Sequence, residues 1–101
     1  MMAAKQIALW GYGTYGRGME MILCRMPKGH YEITVIFDQR FAELGPAAVT
    51  GLEIRDPATA GELYRRGLFE EVLIAVYDAG TKGRIEEILA DAGIPRCVIG
   101  E

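Results

Sequence analysis

Gly11-Tyr12-Gly13-Thr14-Tyr15-Gly16 matches Gly-x-Gly-x-x-Gly, and Asp38 follows 22 residues after the last glycine. The glycine pattern alone is a weak signal, so its weight depends on what surrounds it. The chemistry it could perform is the seating of a diphosphate. Gly11 would allow a tight turn, Gly13 would let a pyrophosphate approach the backbone, and Gly16 would let a helix lie close to a sheet; each use needs a missing Cβ. Thr14 and Tyr15 complete the loop. The first N–H groups of a helix opening there lack intrahelical partners and carry the positive end of its dipole, worth about 1 kcal/mol to a phosphate beside its hydrogen bonds. Asp38 would accept hydrogen bonds from the 2′- and 3′-hydroxyls of a ribose and repel a 2′-phosphate, which favours NAD over NADP, while Arg40 works against that preference. Arg17 could reach a phosphate from the first turn, although exposed arginines there are more often merely solvated.

Other residues frame this constellation. Tyr12 and Tyr15 are bulky for such a loop and would either line a site or partly block it. Asp78, Ala79, Gly80 and Thr81 follow the most apolar run of the chain and are candidates for a second wall, with Thr81 reading first as a helix cap. A plainer reading stands beside all of this: glycine-rich turns serve packing, and aspartate at a strand end is a common turn residue. No catalytic set emerges. Serine is absent, His30 stands alone in an expected loop, and Tyr77 and Lys82 are five apart with Gly80 between them. Cys24 and Cys97 fall within apolar segments and read as core residues, with neither a metal-ligand spacing nor a disulfide framework.

The elements that must position these residues can be read from periodicity. Lys5 to Trp10 is short, mostly apolar and stopped by Gly11, as suits a strand buried on both faces. Met19, Ile22, Leu23 and Met26 form one face of a helix running from Arg17 and ended by Pro27-Lys28-Gly29. Tyr31 to Asp38 is a second strand with Asp38 at its carboxyl end. Phe41 to Leu44 can form one helical turn, and a brief strand is expected at Leu52-Glu53-Ile54. Asp56-Pro57 opens a helix that Gly67 closes, with Ala60, Leu63 and Tyr64 inward. Phe69 to Tyr77 is a central strand. A helix from Thr81 turns Ile85, Ile88, Leu89 and Ala92 inward and stops at Gly93, and Arg96 to Ile99 is a last strand. Strands alternating with helices predict a three-layer α/β domain, an open parallel sheet of about five strands ordered 3-2-1-4-5 with right-handed crossovers and helices on both faces.

Composition bounds the partners. The 101 residues carry 11 Lys and Arg against 14 Asp and Glu, a formal charge of −3. One domain spanning 1–101 is expected, large enough for a core without staples. The scattered basic residues argue against a nucleic-acid footprint. No apolar stretch approaches the roughly 20 residues of a membrane span and no secretion signal is visible, so a cytoplasmic protein is expected. The final strand ends the chain without a helix to follow it, which suggests a module of a longer polypeptide.

The order strand, Gly-x-Gly-x-x-Gly-Arg, amphipathic helix, strand ending Phe37-Asp38, Thr50-Gly51-Leu52-Glu53-Ile54, then Asp56-Pro57 opening a helix resembles the small Rossmann-like amino-terminal domains of carbohydrate-modifying enzymes. These are the sugar acyltransferases with a left-handed β-helix, the nucleoside-diphosphate-sugar epimerase/dehydratases and related bacterial methyltransferases. The resemblance spans nearly the whole chain through moderately specific motifs. It implies a module of a bacterial polysaccharide or sugar-nucleotide pathway that binds NAD or a UDP-sugar, with Gly11, Gly13, Gly16 and Asp38 in that role. Tyr12 departs from the small residue usual in these families, and their catalytic domains are not within the 101 residues, so no activity transfers. Two alternatives remain open: an interaction domain that kept the fold and dimerises without ligand, and the cofactor half of an NAD-dependent oxidoreductase whose catalytic domain is linked to it.

Overall fold

The computed structural model describes residues 4–26 and 30–97. Strand β1 (Lys5–Trp10) leads into helix α1 (Thr14–Arg25), then β2 (Tyr31–Phe37), the two-residue β3 (Ile54–Arg55), a 3-10 turn (Pro57–Thr59) running into α2 (Ala60–Arg65), β4 (Glu71–Ile74) and α3 (Ala79–Ala92). All pairings are parallel and the sheet order is β3-β2-β1-β4. Beyond β4, Arg96 forms an isolated parallel bridge with Val72, which places the start of the expected last strand fifth in the same order. Val98 and Ile99 lie outside the described residues.

Alternation along the strands divides the core in two. Ala8, Trp10, Val35, Phe37, Val72 and Ile74 face α2 and α3 through Ala60, Leu63, Ile85 and Leu89. Ile7, Leu9, Ile33, Ile36 and Leu73 face the other way, onto Leu23 of α1. Ile33 and Ile36 share a face despite their odd spacing, because the β1–β2 register shifts between Ile7 and Ala8 and leaves Thr34 as an extra residue. The result is the three-layer α/β arrangement that the alternating elements call for.

Several expected details differ. Helix α1 opens at Thr14, a turn before Arg17, because the glycine loop itself closes the first turn: the Arg17 amide donates to Gly13 O at 2.9 Å. Strand β4 is four residues long; beyond Ile74 only the Ala75 amide still reaches back to Trp10 O, at 2.8 Å. Thr81 does not cap α3. Asp78 does, its Oδ2 accepting from the Thr81 amide at 2.7 Å. Four residues expected inside are outside: Ile22 is 57% and Ile88 48% exposed, Ala92 is exposed, and Cys24 is a surface thiol. The buried stripe of α1 runs instead through Gly16, Glu20 and Leu23.

Candidate functional site

Register brings the chemistry-bearing residues to one edge. Trp10 pairs with Phe37 on one side and Ile74 on the other, so the three residues that follow, Gly11, Asp38 and Ala75, leave the sheet side by side. Two bonds fix this edge: the Gly11 amide donates to Phe37 O at 2.7 Å, and the Asp38 amide to Arg55 O at 3.3 Å. Chain order reverses here, with β2 and β3 on one side of β1 and β4 on the other, which is the switch point where open parallel sheets leave a crevice. Trp10 and Phe37, the last residues of their strands, pack against each other with ring centroids 5.2 Å apart and planes tilted by 46°.

The three glycines have different physical reasons. Gly11 has φ +111°, and a Cβ there would meet Ala75 O at 2.6 Å. A Cβ on Gly16 would stand 1.8 Å from Gly11 O, so the helix can lie this close only without a side chain. Gly13, the residue before α1, is extended (φ −88°, ψ −155°), and a Cβ there would meet only Arg40 Nη2, at the ordinary distance of 3.7 Å. No side chain caps α1, and the Thr14, Tyr15 and Gly16 amides donate to nothing else among the described residues.

The tyrosines do not plug the loop. Tyr12 is 5% exposed, and its hydroxyl donates to Glu20 Oε1 at 2.6 Å while accepting from the Ala48 amide at 2.7 Å. Glu20, fully buried, also accepts from the Thr50 hydroxyl and amide at 2.8 and 3.0 Å and from the Val49 amide at 3.4 Å. Burial pushes the Glu20 carboxyl up, but these donors, Tyr12 first, outweigh it and hold it below the usual carboxylate range. Burial and the neighbouring carboxylate push the Tyr12 phenol up. Nothing in the chemistry of the motif points to Glu20; its signal was spacing alone, four residues after Gly16 and three before Leu23 on the stripe that packs inward. Tyr15 lies on the rim, edge to face with the exposed Tyr77 at 4.6 Å between centroids.

Asp38 is buried, at 9% exposed, and ties the loop to its own strand end. Its Oδ2 accepts from the Tyr12 amide at 2.7 Å, and its Oδ1 from the Arg40 amide at 2.8 Å and Arg40 Nε at 3.2 Å. Burial raises its carboxyl and these bonds more than reverse that, leaving it below its ordinary value. Arg40 Nη2 reaches Tyr12 O at 3.4 Å. Asp78 lies at the same edge, its carboxylate engaged by the Thr81 amide and hydroxyl, both at 2.7 Å, which depresses its pKa.

Three adjoining clefts surround this edge. One of about 310 Å³ lies between Asp38, Pro57, Val76, Ile85 and Ile88, with Arg40 and Arg84 at its sides. A second, about 420 Å³, runs over Gly11, Gly13 and Thr14 between Asp38 and Tyr77, and includes Tyr15, Arg40, Asp78 and Thr81. A third, about 430 Å³, lies between Gly13, Thr14 and Arg17 and the loop at Leu44–Ala48. The sequence-derived candidates Gly11, Tyr12, Gly13, Thr14, Tyr15, Gly16, Asp38, Arg40 and Asp78 are thus brought to one edge, with Tyr12 and Gly16 turned to supporting it from beneath. Among the described residues no group of three or more His, Cys, Asp or Glu could hold a metal, and no helix is long and apolar enough to cross a membrane.

No family model matches the chain and no curated protein matches it. Solved structures do. UDP-D-quinovosamine 4-dehydrogenase from Vibrio fischeri superposes with a TM-score of 0.74 at 19% identity, over 91% of this chain and 75% of that one. The fold is Rossmann-like. RSP, a Rex-family repressor, superposes with a TM-score of 0.72 at 18% identity, over 90% of this chain and 42% of that one. RSP is also described with β-NADH, at a TM-score of 0.69, and with β-NAD+ and operator DNA, at 0.68. At these identities the likeness is one of fold, and the sugar acyltransferase and methyltransferase resemblances find no counterpart among these structures.

Proposed function

We propose that this chain binds a nucleotide through its diphosphate, with a dinucleotide of the NAD(P) class as ligand and Gly13 at the point of closest approach. The observation that carries this reading is Gly13 itself. Gly11 and Gly16 are explained by the chain's own packing, but among the described residues a Cβ at 13 would meet only the end of the Arg40 side chain, at an ordinary 3.7 Å, while three amides without a partner among those residues follow it at the start of a twelve-residue helix. A glycine beside bare amides at a switch point is what a diphosphate needs. The 310 Å³ cleft, walled by Pro57, Val76, Ile85 and Ile88, would take the adenine, with Asp38 and Arg40 beside its ribose. Tyr15, Tyr77 and Asp78 would border the second half of the ligand. RSP, which is described with NADH, supports this reading. The neighbour named for a UDP-sugar supports a second one, in which a nucleotide-sugar takes the same diphosphate seat. In either case the chain binds and an attached or partner domain reacts, since these residues offer no nucleophile and base.

Calorimetric titration of NADH, NADPH and UDP-N-acetylglucosamine against the wild type and Gly13→Leu tests it. Because Gly13 has an extended backbone and a Cβ there makes only an ordinary contact with the end of the Arg40 side chain, the variant is expected to unfold as cooperatively as wild type while losing about 100-fold or more in affinity, which at saturating ligand removes about 2.7 kcal/mol of ligand-induced stabilisation. Affinity unaffected by leucine at 13 removes the loop as the diphosphate seat, and heat with the UDP-sugar alone selects the second reading.

A further inference from the structure

Asp38 at a strand end would ordinarily favour a free ribose diol, yet here its carboxylate is already engaged. A carboxylate offers about four lone-pair directions. The Tyr12 amide and Arg40 Nη2, at 2.7 and 3.4 Å, take those of Oδ2, and the Arg40 amide and Nε, at 2.8 and 3.2 Å, take those of Oδ1. A diol must therefore displace a bond the fold uses, and the ion pair with Arg40 cancels much of the charge that would repel a phosphate.

The neighbouring cleft has the opposite character. Its charged lining residues are Arg17 and Arg40, no carboxylate lines it, and Thr14 adds a hydroxyl. The Arg17 side chain makes no ion pair or hydrogen bond among the described residues, and Arg40 has Nη1 uncommitted. Two guanidiniums converging on one cleft beside the ribose position suit a dianion, since charge-assisted bonds from arginine to phosphate are the strong ones.

Resting on the nucleotide-binding reading above, we propose that the adenosine ribose of the ligand carries a phosphomonoester, held in the cleft between Arg17 and Arg40. The chemistry is shared by two sources, a 2′-phosphate as in NADP and a 3′-phosphate as in coenzyme A, and the test separates them. Adenosine 5′-diphosphate, its 2′-phosphorylated and its 3′-phosphorylated forms are titrated in parallel against the wild type, Arg17→Ala and the double variant Arg17→Ala/Arg40→Ala. One of the phosphorylated forms is expected to bind wild type about tenfold or more tighter than the diphosphate alone, a ratio that drops towards one in Arg17→Ala and the double variant. The preferred isomer names the source. Equal or weaker binding of both phosphorylated forms overturns the proposal while leaving diphosphate binding intact. No binding of any of the three overturns the dinucleotide reading and this one with it. A preference that survives loss of both arginines places the phosphate elsewhere and also overturns it.

Discussion

A Cβ added to Gly16 would stand 1.8 Å from Gly11 O, a backbone atom that the Phe37 hydrogen bond at Gly11 N holds in place, so α1 would have to lift from the sheet. Two residues on in the same helix, a Cβ on Gly18 would meet nothing within 4 Å. The two positions therefore answer alanine oppositely. Gly16→Ala should cost about 1–3 kcal/mol by overpacking, and Gly18→Ala should gain about 0.5–1 kcal/mol by reducing the freedom of the unfolded chain. Urea unfolding of both variants checks this, and equal effects of the two would mean that α1 does not lie as close to the sheet as described. The sequence pattern marked Gly16 for this close approach, but it could not separate Gly13 from Gly16: both are glycines in one motif, and only the surrounding atoms show which of them the protein itself requires.

At the scale of elements, the connection from Gln39 to Gly51 is the least legible part of the sequence, and the structure shows why. It is not organised by periodicity but by long-range hydrogen bonds to a carboxylate inside α1. The Tyr12 hydroxyl, the Thr50 side chain and amide, and the Val49 amide converge on Glu20, and the Ala48 amide donates to Tyr12. A glutamate on a helix reads as solvated surface, so apolar spacing alone puts Ile22 on the inner face, where the structure has Glu20 instead. β1 and β2 are legible because their apolar runs have sharp ends, Lys5–Trp10 stopping where Gly11 takes φ +111°, whereas the apolar run Phe69–Tyr77 overshoots β4 at both ends and the brief strand expected at Leu52–Ile54 is shifted to Ile54–Arg55. The start of α3 is not legible, because Asp78 and Thr81 can both cap and only geometry shows that Asp78 takes the Thr81 amide. Removing one hydroxyl tests the clasp. Tyr12→Phe leaves the Ala48 amide unpaired and Glu20 short of a donor, at a cost of about 1–3 kcal/mol. Amide exchange at Ala48, Val49 and Thr50 should accelerate well beyond that in β1 or β2; uniform acceleration across the molecule would mean the loop is not held by this bond.

The whole molecule should record these buried carboxylates in its response to acid. Glu20 and Asp38 both have folded pKa values below their ordinary ones, so the unfolded chain binds protons more readily than the folded one at acid pH. The stability they contribute is fully present above the unfolded values, about 3.9 for Asp and 4.3 for Glu, and is lost as pH falls through those values towards the folded ones. Stability should therefore be level from neutrality down to about pH 5 and decline below it. Trp10, the single tryptophan and 4% exposed, reports unfolding by its fluorescence. Glu20→Gln isolates one contribution, because glutamine cannot titrate and its amide hydrogens face donors where the carboxylate met them. The variant should be less stable than wild type at pH 7, and the gap should narrow as pH drops below about 4, once the wild-type carboxylate also takes up its proton. A gap that stayed constant from pH 7 to pH 3 would mean that Glu20 does not carry its charge inside the fold, and the clasp over the glycine loop would then be an ordinary neutral contact.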